Sequence, residues 1–266
     1  MKLTIIGAGN MGGAMIKGWA TCGKFDASDI TVADKRPETL EKYQEMFPGM
    51  KVSESNVKAV AEADVIVFAV KPWLIERVSA SVREAIDPTR QIVVSVAANV
   101  VPDQLVTLFT NSRGMTPTVF YAIPNIAAEY HQSMTFLTSV KRVPEAAKQT
   151  VENLFSLIGE VLFCEEKQVE AGMMISSCGI AYMMRYLRAN MQGGVEMGFS
   201  PKDALHIALQ TMHGTVSLLE ETGWHPEQAI DRVTTPGGVT IKGLNELDRC
   251  GFTSAVIQSL KAGLKK

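Results

Sequence analysis

Short apolar runs alternate with amphipathic segments through the first 160 residues or so of the chain. The apolar runs occupy residues 2–6, 30–33, 51–53, 65–70 and 91–97. Between them lie segments of helical period, at 11–21, 37–47, 56–62 and after Pro72. Strands that are apolar on both faces are typical of a parallel sheet covered by helices on both sides. This part of the chain therefore predicts a doubly wound α/β domain.

The pattern changes near Cys164. Before it come weaker strand patterns at 119–122, 134–138 and 161–163 and a helix pattern at 145–158. After it nearly every segment has the helical period, and we expect three or four helices separated by loops that begin at Gly198, Gly223 and Thr235. We predict an α/β domain in residues 1–164 and an all-helical domain in residues 165–266.

The clearest motif is Gly7-Ala8-Gly9-Asn10-Met11-Gly12, between the first strand and the first helix. It fits G-x-G-x-x-G, in which the first glycine permits a tight turn, the second lets a pyrophosphate approach the backbone, and the third lets helix and strand pack closely. Free amides at the helix start favour an anion. The motif predicts a dinucleotide site formed by Gly7, Gly9, Asn10, Met11 and Gly12, and a purely structural turn is the alternative.

The end of the second strand bears on which dinucleotide binds. Asp34 stands where an acid bonds the ribose diol, which favours NAD. Lys35 and Arg36 follow at once, and basic side chains favour the 2′-phosphate of NADP. Both cofactors stay open, and a solvated charged turn is the third interpretation.

Two further strand ends are expected at the same edge of the sheet as the glycine loop, since the carboxyl ends of parallel strands share one edge. Ligands bind at this edge in sheets of this kind. Lys71 follows the run at 65–70. It either contacts the cofactor or another anion, or it is a surface lysine exposed to solvent. Ser95-Val96-Ala97-Ala98 ends the next strand. Small side chains such as Ala97 allow a nicotinamide to approach closely, although they also simply pack.

A second loop with glycines lies between two helices of the helical half, Thr234-Thr235-Pro236-Gly237-Gly238-Val239-Thr240. Pro-Gly-Gly forces a bend, and the amides of the helix that starts near Val239 can bind a carboxylate without a basic residue. Thr234, Thr235 and Thr240 add hydroxyl groups. Ordinary helix capping by threonine is the alternative.

Composition excludes several classes of function. The net charge of −2 gives no basic field for nucleic acid or anionic membrane, and no apolar run approaches the ~18 residues of a membrane span. Cys22, Cys164, Cys178 and Cys250 are far apart in the sequence, so we expect reduced thiols in a cytoplasmic protein and no metal site. The histidines form no catalytic constellation.

Together these segments resemble the pyrroline-5-carboxylate reductase family over essentially the whole chain. The likeness is carried by Ile6 to Gly12, Ala69-Val70-Lys71-Pro72, Val94-Ser95-Val96-Ala97-Ala98 and above all Thr235-Pro236-Gly237-Gly238-Val239-Thr240-Ile241. The resemblance implies an N-terminal Rossmann domain with a doubly wound parallel sheet, followed by an all-helical C-terminal dimerisation domain that interlocks with a second subunit. A homodimer, or a larger homo-oligomer built from dimers, is therefore expected.

The resemblance also implies a reaction and its site. The reaction is reduction of Δ1-pyrroline-5-carboxylate to L-proline by hydride transfer from NADH or NADPH, the last step of proline biosynthesis. The residues implied at the cofactor are Asn56, Val70, Lys71 and Pro72. At the substrate, the amides of Val239 and Thr240 would hold the carboxylate beside Thr235 and Gly238. The Thr240 hydroxyl would face the ring nitrogen as the catalytic group.

Two segments depart from the family pattern. Ile123-Pro124-Asn125-Ile126-Ala127 stands where the family has M-P-N-T-P, and Ser176-Ser177-Cys178-Gly179-Ile180-Ala181-Tyr182 where it has S-G-S-G-P-A-Y. The departures at Ile126 and Cys178 are the support for one alternative, a redox sensor or scaffold that binds NADPH without turnover. Another alternative is a related Rossmann reductase or hydroxyacid dehydrogenase acting on another small carboxylate. A dehydrogenase of that kind needs a lysine near residues 170–190, where this chain offers only Arg185 and Arg188.

Overall fold

The computed structural model describes residues 1–98, 100 and 102–264, and its contacts divide the chain into two units, Met1–Ser177 and Cys178–Lys266. The first unit is built on an eight-stranded sheet with the order β3-β2-β1-β4-β5-β6-β7-β8. The strands are β1 (Leu3–Ile6), β2 (Ile30–Ala33), β3 (Lys51–Ser53), β4 (Val65–Phe68), β5 (Ile92–Ser95), β6 (Thr118–Ile123), β7 (Ser133–Ser139) and β8 (Gly159–Phe163). Strands β1 to β6 are parallel, whereas β7 is antiparallel to β6 and β8 is parallel to β7.

The helices of the first unit cover this sheet. They are α1 (Asn10–Thr21), α2 (Pro37–Met46), α3 (Asn56–Val60), α4 (Ile75–Val82), α5 (Pro102–Phe109), α6 (Glu145–Ser156) and α7 (Glu166–Met173). The core lies between helices and sheet, where Trp19 of α1 meets Phe155 of α6 edge to face with ring centroids 5.5 Å apart. The indole N–H of Trp19 donates to the Leu154 carbonyl at 2.8 Å, so this fully buried ring leaves no donor unpaired.

The second unit is helical. Its helices are α8 (Gly179–Glu196), α9 (Pro201–Thr222), α10 (Pro226–Val233), α11 (Val239–Arg249) and α12 (Phe252–Ala262), and a short π-helix, Met174–Cys178, joins α7 to α8. Helix α9 begins as its sequence predicts, because the Ser200 hydroxyl accepts from the Asp203 amide at 3.1 Å and Pro201 occupies the first turn. None of the described helices is long and apolar enough to cross a bilayer.

The observed sheet agrees with the predicted one in kind and differs in extent. The predicted runs at 65–70 and 91–97 stop pairing at Phe68 and Ser95, because Phe68 pairs with Ile6, the last residue of β1, and Ser95 pairs in turn with Phe68. The chain turns at Gly7 directly afterwards, so the apolar residues that follow Phe68 and Ser95 line the edge of the sheet. The predicted parallel sheet is confirmed for β1 to β6, whereas β7 is antiparallel to β6, a direction that the sequence pattern did not predict.

Two expectations about the helices also need correction. The sequence pattern did not predict α5, and beyond Glu166 the described residues form six α-helices, α7 to α12, instead of three or four. One reason is Gly251, whose φ of +75° separates α11 from α12 without a proline to mark the break. The domain boundary at residue 164 stays a prediction, and residues 265 and 266 of the predicted helical domain lie outside the described residues.

Candidate cofactor and substrate sites

The glycine loop after β1 uses its three glycines in three different ways. Gly7 has φ +99°, and a Cβ there would lie 2.7 Å from the carbonyl oxygen of Ala69. A Cβ on Gly12 would collide with the carbonyl oxygen of Gly7. Around Gly9 an added Cβ would meet no atom within 4 Å, so this glycine leaves open space for a ligand. The first and third glycines are required by packing, and only the second by an approaching group.

The N-terminus of α1 is suited to an anion. Gly9 is its N-cap, no side chain caps the helix, and its first turn contains no acidic residue. The amides of the first turn, which belong to Asn10, Met11 and Gly12, therefore present their positive ends beside the space at Gly9. This arrangement fits the pyrophosphate of a dinucleotide.

Asp34, just after β2, is tied to this loop. Its Oδ2 accepts from the Ala8 amide at 2.9 Å, and its Oδ1 accepts from the Arg36 amide and from Arg36 Nε, each at 3.1 Å. Burial acts to raise the pKa of the Asp34 carboxyl, but the bonds from Arg36 and Ala8 outweigh it and hold the pKa below its usual value. Sequence analysis missed this structural role, because a contact between the ends of two strands leaves no local signal.

The other predicted cofactor residues follow strands whose carboxyl ends share one edge of the sheet. Val70 lies directly on the glycine turn, with its Cγ1 3.1 Å from the position of a Cβ on Gly7. Ala97 is buried after β5, and Asn56 opens α3 after β3. Lys71 and Lys35 are exposed, and Pro72 starts a 3-10 helix, Pro72–Leu74. The structure thus brings the loop at 69–70 together with Gly7 and places the others at the same edge.

The second predicted site is the turn that opens α11. The Gly238 amide donates to the Thr235 carbonyl at 3.0 Å, and Gly237 has φ +71°, as a turn with proline then glycine at its centre requires. Helix α11 starts at Val239 with Gly238 as N-cap, with no side-chain cap and no acid in the first turn. The Pro-Gly-Gly bend is confirmed, and it ends at an uncapped helix N-terminus.

The three threonine hydroxyl groups near this turn differ in their contacts and exposure. Thr234 Oγ1 donates to the Ile230 carbonyl at 2.7 Å, so it belongs to the end of α10. Thr235 Oγ1 lies 2.5 Å from the position of a Cβ on Gly238, which explains why that residue has no side chain. Thr240 is exposed in the first turn of α11, next to Val239, whose side chain is 84% exposed. Thr240 is thus the hydroxyl placed beside the free amides.

The segment that contains Asn125 is held rigidly within the first unit. The Asn125 side chain accepts from the Ala127 amide at 3.0 Å, and its own amide donates to Ser133 Oγ at 3.0 Å. The Ser177 hydroxyl, in the π-helix, donates to the Pro124 carbonyl at 3.0 Å. The bond from Ser177 to Pro124 thus joins the two segments that differ from the family pattern, 123–127 and 176–182.

Comparison with protein-family profiles finds two matches. Residues 166–266 match pyrroline-5-carboxylate reductase dimerisation, and residues 2–99 match NADP oxidoreductase coenzyme F420-dependent. The pyrroline-5-carboxylate reductase of Synechocystis is 31% identical over 266 residues, which are 100% of this chain and 97% of that protein. Pyrroline-5-carboxylate reductase 1 of Dictyostelium discoideum is 30% identical over 97% of this chain, which spans only 48% of that relative's length.

Solved structures agree with these relatives. The 1-pyrroline-5-carboxylate reductase of Streptococcus pyogenes has 27% identity and a TM-score of 0.85, over 99% of this chain and 96% of that one. The Plasmodium falciparum pyrroline carboxylate reductase with NADP bound has 22% identity and a TM-score of 0.85, over 99% and 95%, and shows a shared fold. The predicted fold class, a Rossmann sheet followed by a helical dimerisation domain, is confirmed. The chain belongs to the pyrroline-5-carboxylate reductase family.

Proposed function

We propose that this chain reduces Δ1-pyrroline-5-carboxylate to L-proline with NADPH or NADH as hydride donor, the last step of proline biosynthesis. Membership of the family supports the substrate class. The observation that carries the proposal is the Thr235–Gly238 turn, which leaves the N-terminus of α11 uncapped and free of acidic residues. Such a helix start suits one small carboxylate.

The first unit supplies the dinucleotide site in this proposal. Gly7, Gly9 and the first turn of α1, from Asn10 through Met11 to Gly12, hold the pyrophosphate. The remaining contacts come from the edge of the sheet, from Asp34, Lys35, Arg36, Asn56, Val70, Lys71, Pro72 and Ala97. The NADP in the Plasmodium relative and the match of residues 2–99 to an NADP oxidoreductase profile favour a nicotinamide dinucleotide.

The turn before α11 supplies the substrate site. The amides of Val239 and Thr240 bind the carboxylate, and Gly238 and Thr235 form the wall beside it. The Thr240 hydroxyl accepts from the protonated ring nitrogen and keeps the C=N bond in a fixed orientation. Neither contact needs a basic side chain, because the carboxylate charge meets the positive end of the α11 dipole.

The proposed reaction requires little acid–base catalysis by side chains of this protein. A protonated cyclic imine is already electrophilic, and the reduced nicotinamide, when bound, supplies the hydride that adds to the imine carbon. The C=N π bond becomes the nitrogen lone pair, so the product is a neutral secondary amine that takes up a proton from water. Positioning of this kind accounts for ~7–11 kcal/mol of a barrier in favourable cases. The absence of a histidine or cysteine centre from the predicted site is therefore consistent with the reaction.

The second unit supports a homo-oligomer. Among its described residues only Gly179, Gly194 and Ala204 are buried. Large apolar side chains such as Met183, Met184 and Met197 are more than half exposed. So many exposed apolar side chains in one unit are typical of an interface, and residues 166–266 match a dimerisation profile. We include a dimer, or an assembly of dimers, in the proposal.

We also include a cytoplasmic location. The four cysteines are free thiols in the structure, and isolated thiols suit a reducing compartment. The near-neutral net charge of −2 gives no reason to expect nucleic acid or an anionic membrane as a partner.

The proposal is tested by mixing the protein with each reduced cofactor, with and without pyrroline-5-carboxylate, and following the loss of nicotinamide absorbance together with proline formation. We expect oxidation that depends on the imine and yields one proline per cofactor. Tight cofactor binding without oxidation would replace the reductase with a redox sensor or scaffold. Oxidation by a small 2-oxo acid instead of the imine would replace it with a hydroxyacid dehydrogenase.

A further inference from the structure

Trp73 is a large aromatic side chain in an unusual place. Its side chain is 76% exposed, whereas Trp19 is fully buried and Trp224 is partly covered and lies 5.2 Å from the guanidinium of Arg232. It belongs to the 3-10 helix Pro72–Leu74, just beyond the carboxyl end of β4. An exposed indole is costly to leave in water and is common where an aromatic ligand binds.

The segment that carries Trp73 packs on the glycine loop. The Ala69 carbonyl oxygen lies 2.7 Å from the position of a Cβ on Gly7, and the Ala69 Cβ lies 3.1 Å from that of a Cβ on Gly12. These contacts hold the start of the segment against the turn that receives the pyrophosphate. Trp73 follows four residues later, within the reach of a dinucleotide that crosses between β1 and β4.

The charge beside Trp73 decides which end of the dinucleotide suits it. Lys71 Nζ lies 6.0 Å from the centroid of the Trp73 ring. The nicotinamide ring becomes a cation once its hydride has been transferred, and an ammonium group at this distance disfavours that oxidised form. The adenosine end carries an uncharged aromatic ring next to phosphate anions, for which an indole beside an ammonium group is a complementary surface.

We propose that Trp73 is the platform on which the adenine ring of the dinucleotide stacks, with Lys71 beside it facing the adenosine phosphates. This inference rests on the proposed function for the presence of a dinucleotide. It adds a residue that neither the glycine motif nor the Lys71-Pro72 segment predicts. Stacking of a base on an aromatic side chain is sequence-independent and does not discriminate NADH from NADPH, so Trp73 serves both cofactors alike.

The test compares Trp73→Leu, which keeps an apolar side chain without a ring, with Trp73→Phe, which keeps a ring. Calorimetric titration gives the Kd for NADPH, NADH and ADP-ribose, the last of which carries the adenine end without nicotinamide. We expect Trp73→Leu to weaken all three by about 10-fold, within the range of base–aromatic stacking, and Trp73→Phe to restore most of the loss. Trp224→Leu is the matched control, with no change in any Kd.

The outcomes separate this inference from the proposed function. A Kd for Trp73→Leu within 2-fold of wild type, with imine-dependent oxidation intact, would overturn the stacking role alone. The same holds if Trp73→Leu changes only the mass of the assembly, because Trp73 would then belong to a subunit contact. Equal weakening by Trp73→Leu and Trp73→Phe would show a loss of folding or local order instead of stacking. Failure of the wild-type protein to bind any dinucleotide would overturn both proposals.

Discussion

The two units of this chain use their apolar residues in opposite ways. In Met1–Ser177 the residues of β1 and β4 are all buried between helices, and the rings of Trp19 and Phe155 meet in a closed core. Among the described residues of the second unit, from Cys178 onward, the three buried positions are two glycines and an alanine. The first unit buries its apolar residues in a core of its own, whereas the second leaves large apolar side chains exposed.

The same contrast extends to the two sites. The glycine loop after β1 packs against Ala69 at Gly7 and Gly12, and the Asp34 carboxylate accepts from its Ala8 amide. The turn before α11 is closed by its own hydrogen bond between Gly238 and Thr235, and Val239 and Thr240 after it are exposed. The proposed cofactor site therefore lies on a loop held by the core of the first unit, whereas the proposed substrate site lies on an exposed turn of the second. The following predictions test that difference.

The largest expected effect comes from a charge on the apolar surface of the second unit. Met184→Glu, at a residue 56% exposed in α8, should abolish the dimer and with it imine-dependent turnover, because an interfacial carboxylate cannot be desolvated without a partner. Mass measured by light scattering checks the prediction. The matched control is Met46→Glu, at a residue 42% exposed at the end of α2 in the first unit, which should leave the mass unchanged. Equal masses for both variants would refute the contrast between the units.

The next largest effect is a difference in stability between alanine substitutions at two glycines of the same motif. Gly12→Ala forces a Cβ onto the Gly7 carbonyl and should destabilise the protein by about 3 kcal/mol, at the upper end for overpacking. Gly9→Ala adds a Cβ in open space and should change the free energy of unfolding by less than about 0.5 kcal/mol. Urea denaturation measures both.

Cofactor binding by the Gly9 variant completes that comparison. The added methyl group would stand between the pyrophosphate and the backbone, so Gly9→Ala should weaken NADPH binding although it leaves the fold intact. If NADPH binds Gly9→Ala as tightly as wild type, the space at Gly9 is not the pyrophosphate site.

The smallest effect concerns Asp34. Its pKa is lowered in the folded state, so its contribution is present above the unfolded value of about 3.9 and is lost as pH falls through the lower folded value. Asp34→Asn should therefore cost about 1 kcal/mol near pH 7 and progressively less below about pH 4. Urea midpoints across that range give the difference. A cost that does not change with pH would mean that the charge of Asp34 is unimportant for its bonds to Ala8 and Arg36.

Local pattern predicted much of the first unit. The bounds of β2 and β3 follow directly from their apolar runs, and the spacing of the glycine motif agrees with the tight turn at Gly7 and the close packing at Gly12. The runs at 65–70 and 91–97 overestimate β4 and β5, because apolar composition continues past Phe68 and Ser95, where pairing with the neighbouring strand ends. An apolar run does not indicate the direction of its strand, so the antiparallel pairing of β7 with β6 was not predicted.

The helix boundaries of the second unit and the contacts at the proposed sites were harder to predict from the sequence. The helix breaks that begin at Gly198 and Gly223, each followed by a proline in the first turn of the next helix, were predicted, whereas the break at Gly251 was not. The bond from Ala8 to Asp34 joins residues 26 positions apart and has no local pattern. The exposure of Trp73 depends on how the residues after β4 leave the sheet, which composition does not show. The roles of individual site residues stay predictions.

In the proposed reductase the first turn of α11 holds the imine, and the turnover of three hydroxyl variants tests this role. Thr240→Val removes the hydroxyl group without changing the shape of the side chain, Thr240→Ser keeps the hydroxyl, and Thr234→Val removes a hydroxyl that only serves the end of α10. With saturating NADPH we predict that kcat falls about 10- to 100-fold in Thr240→Val, the loss of one hydrogen bond to a charged group, and stays near wild type in the other two variants. Wild-type turnover by Thr240→Val would contradict the account.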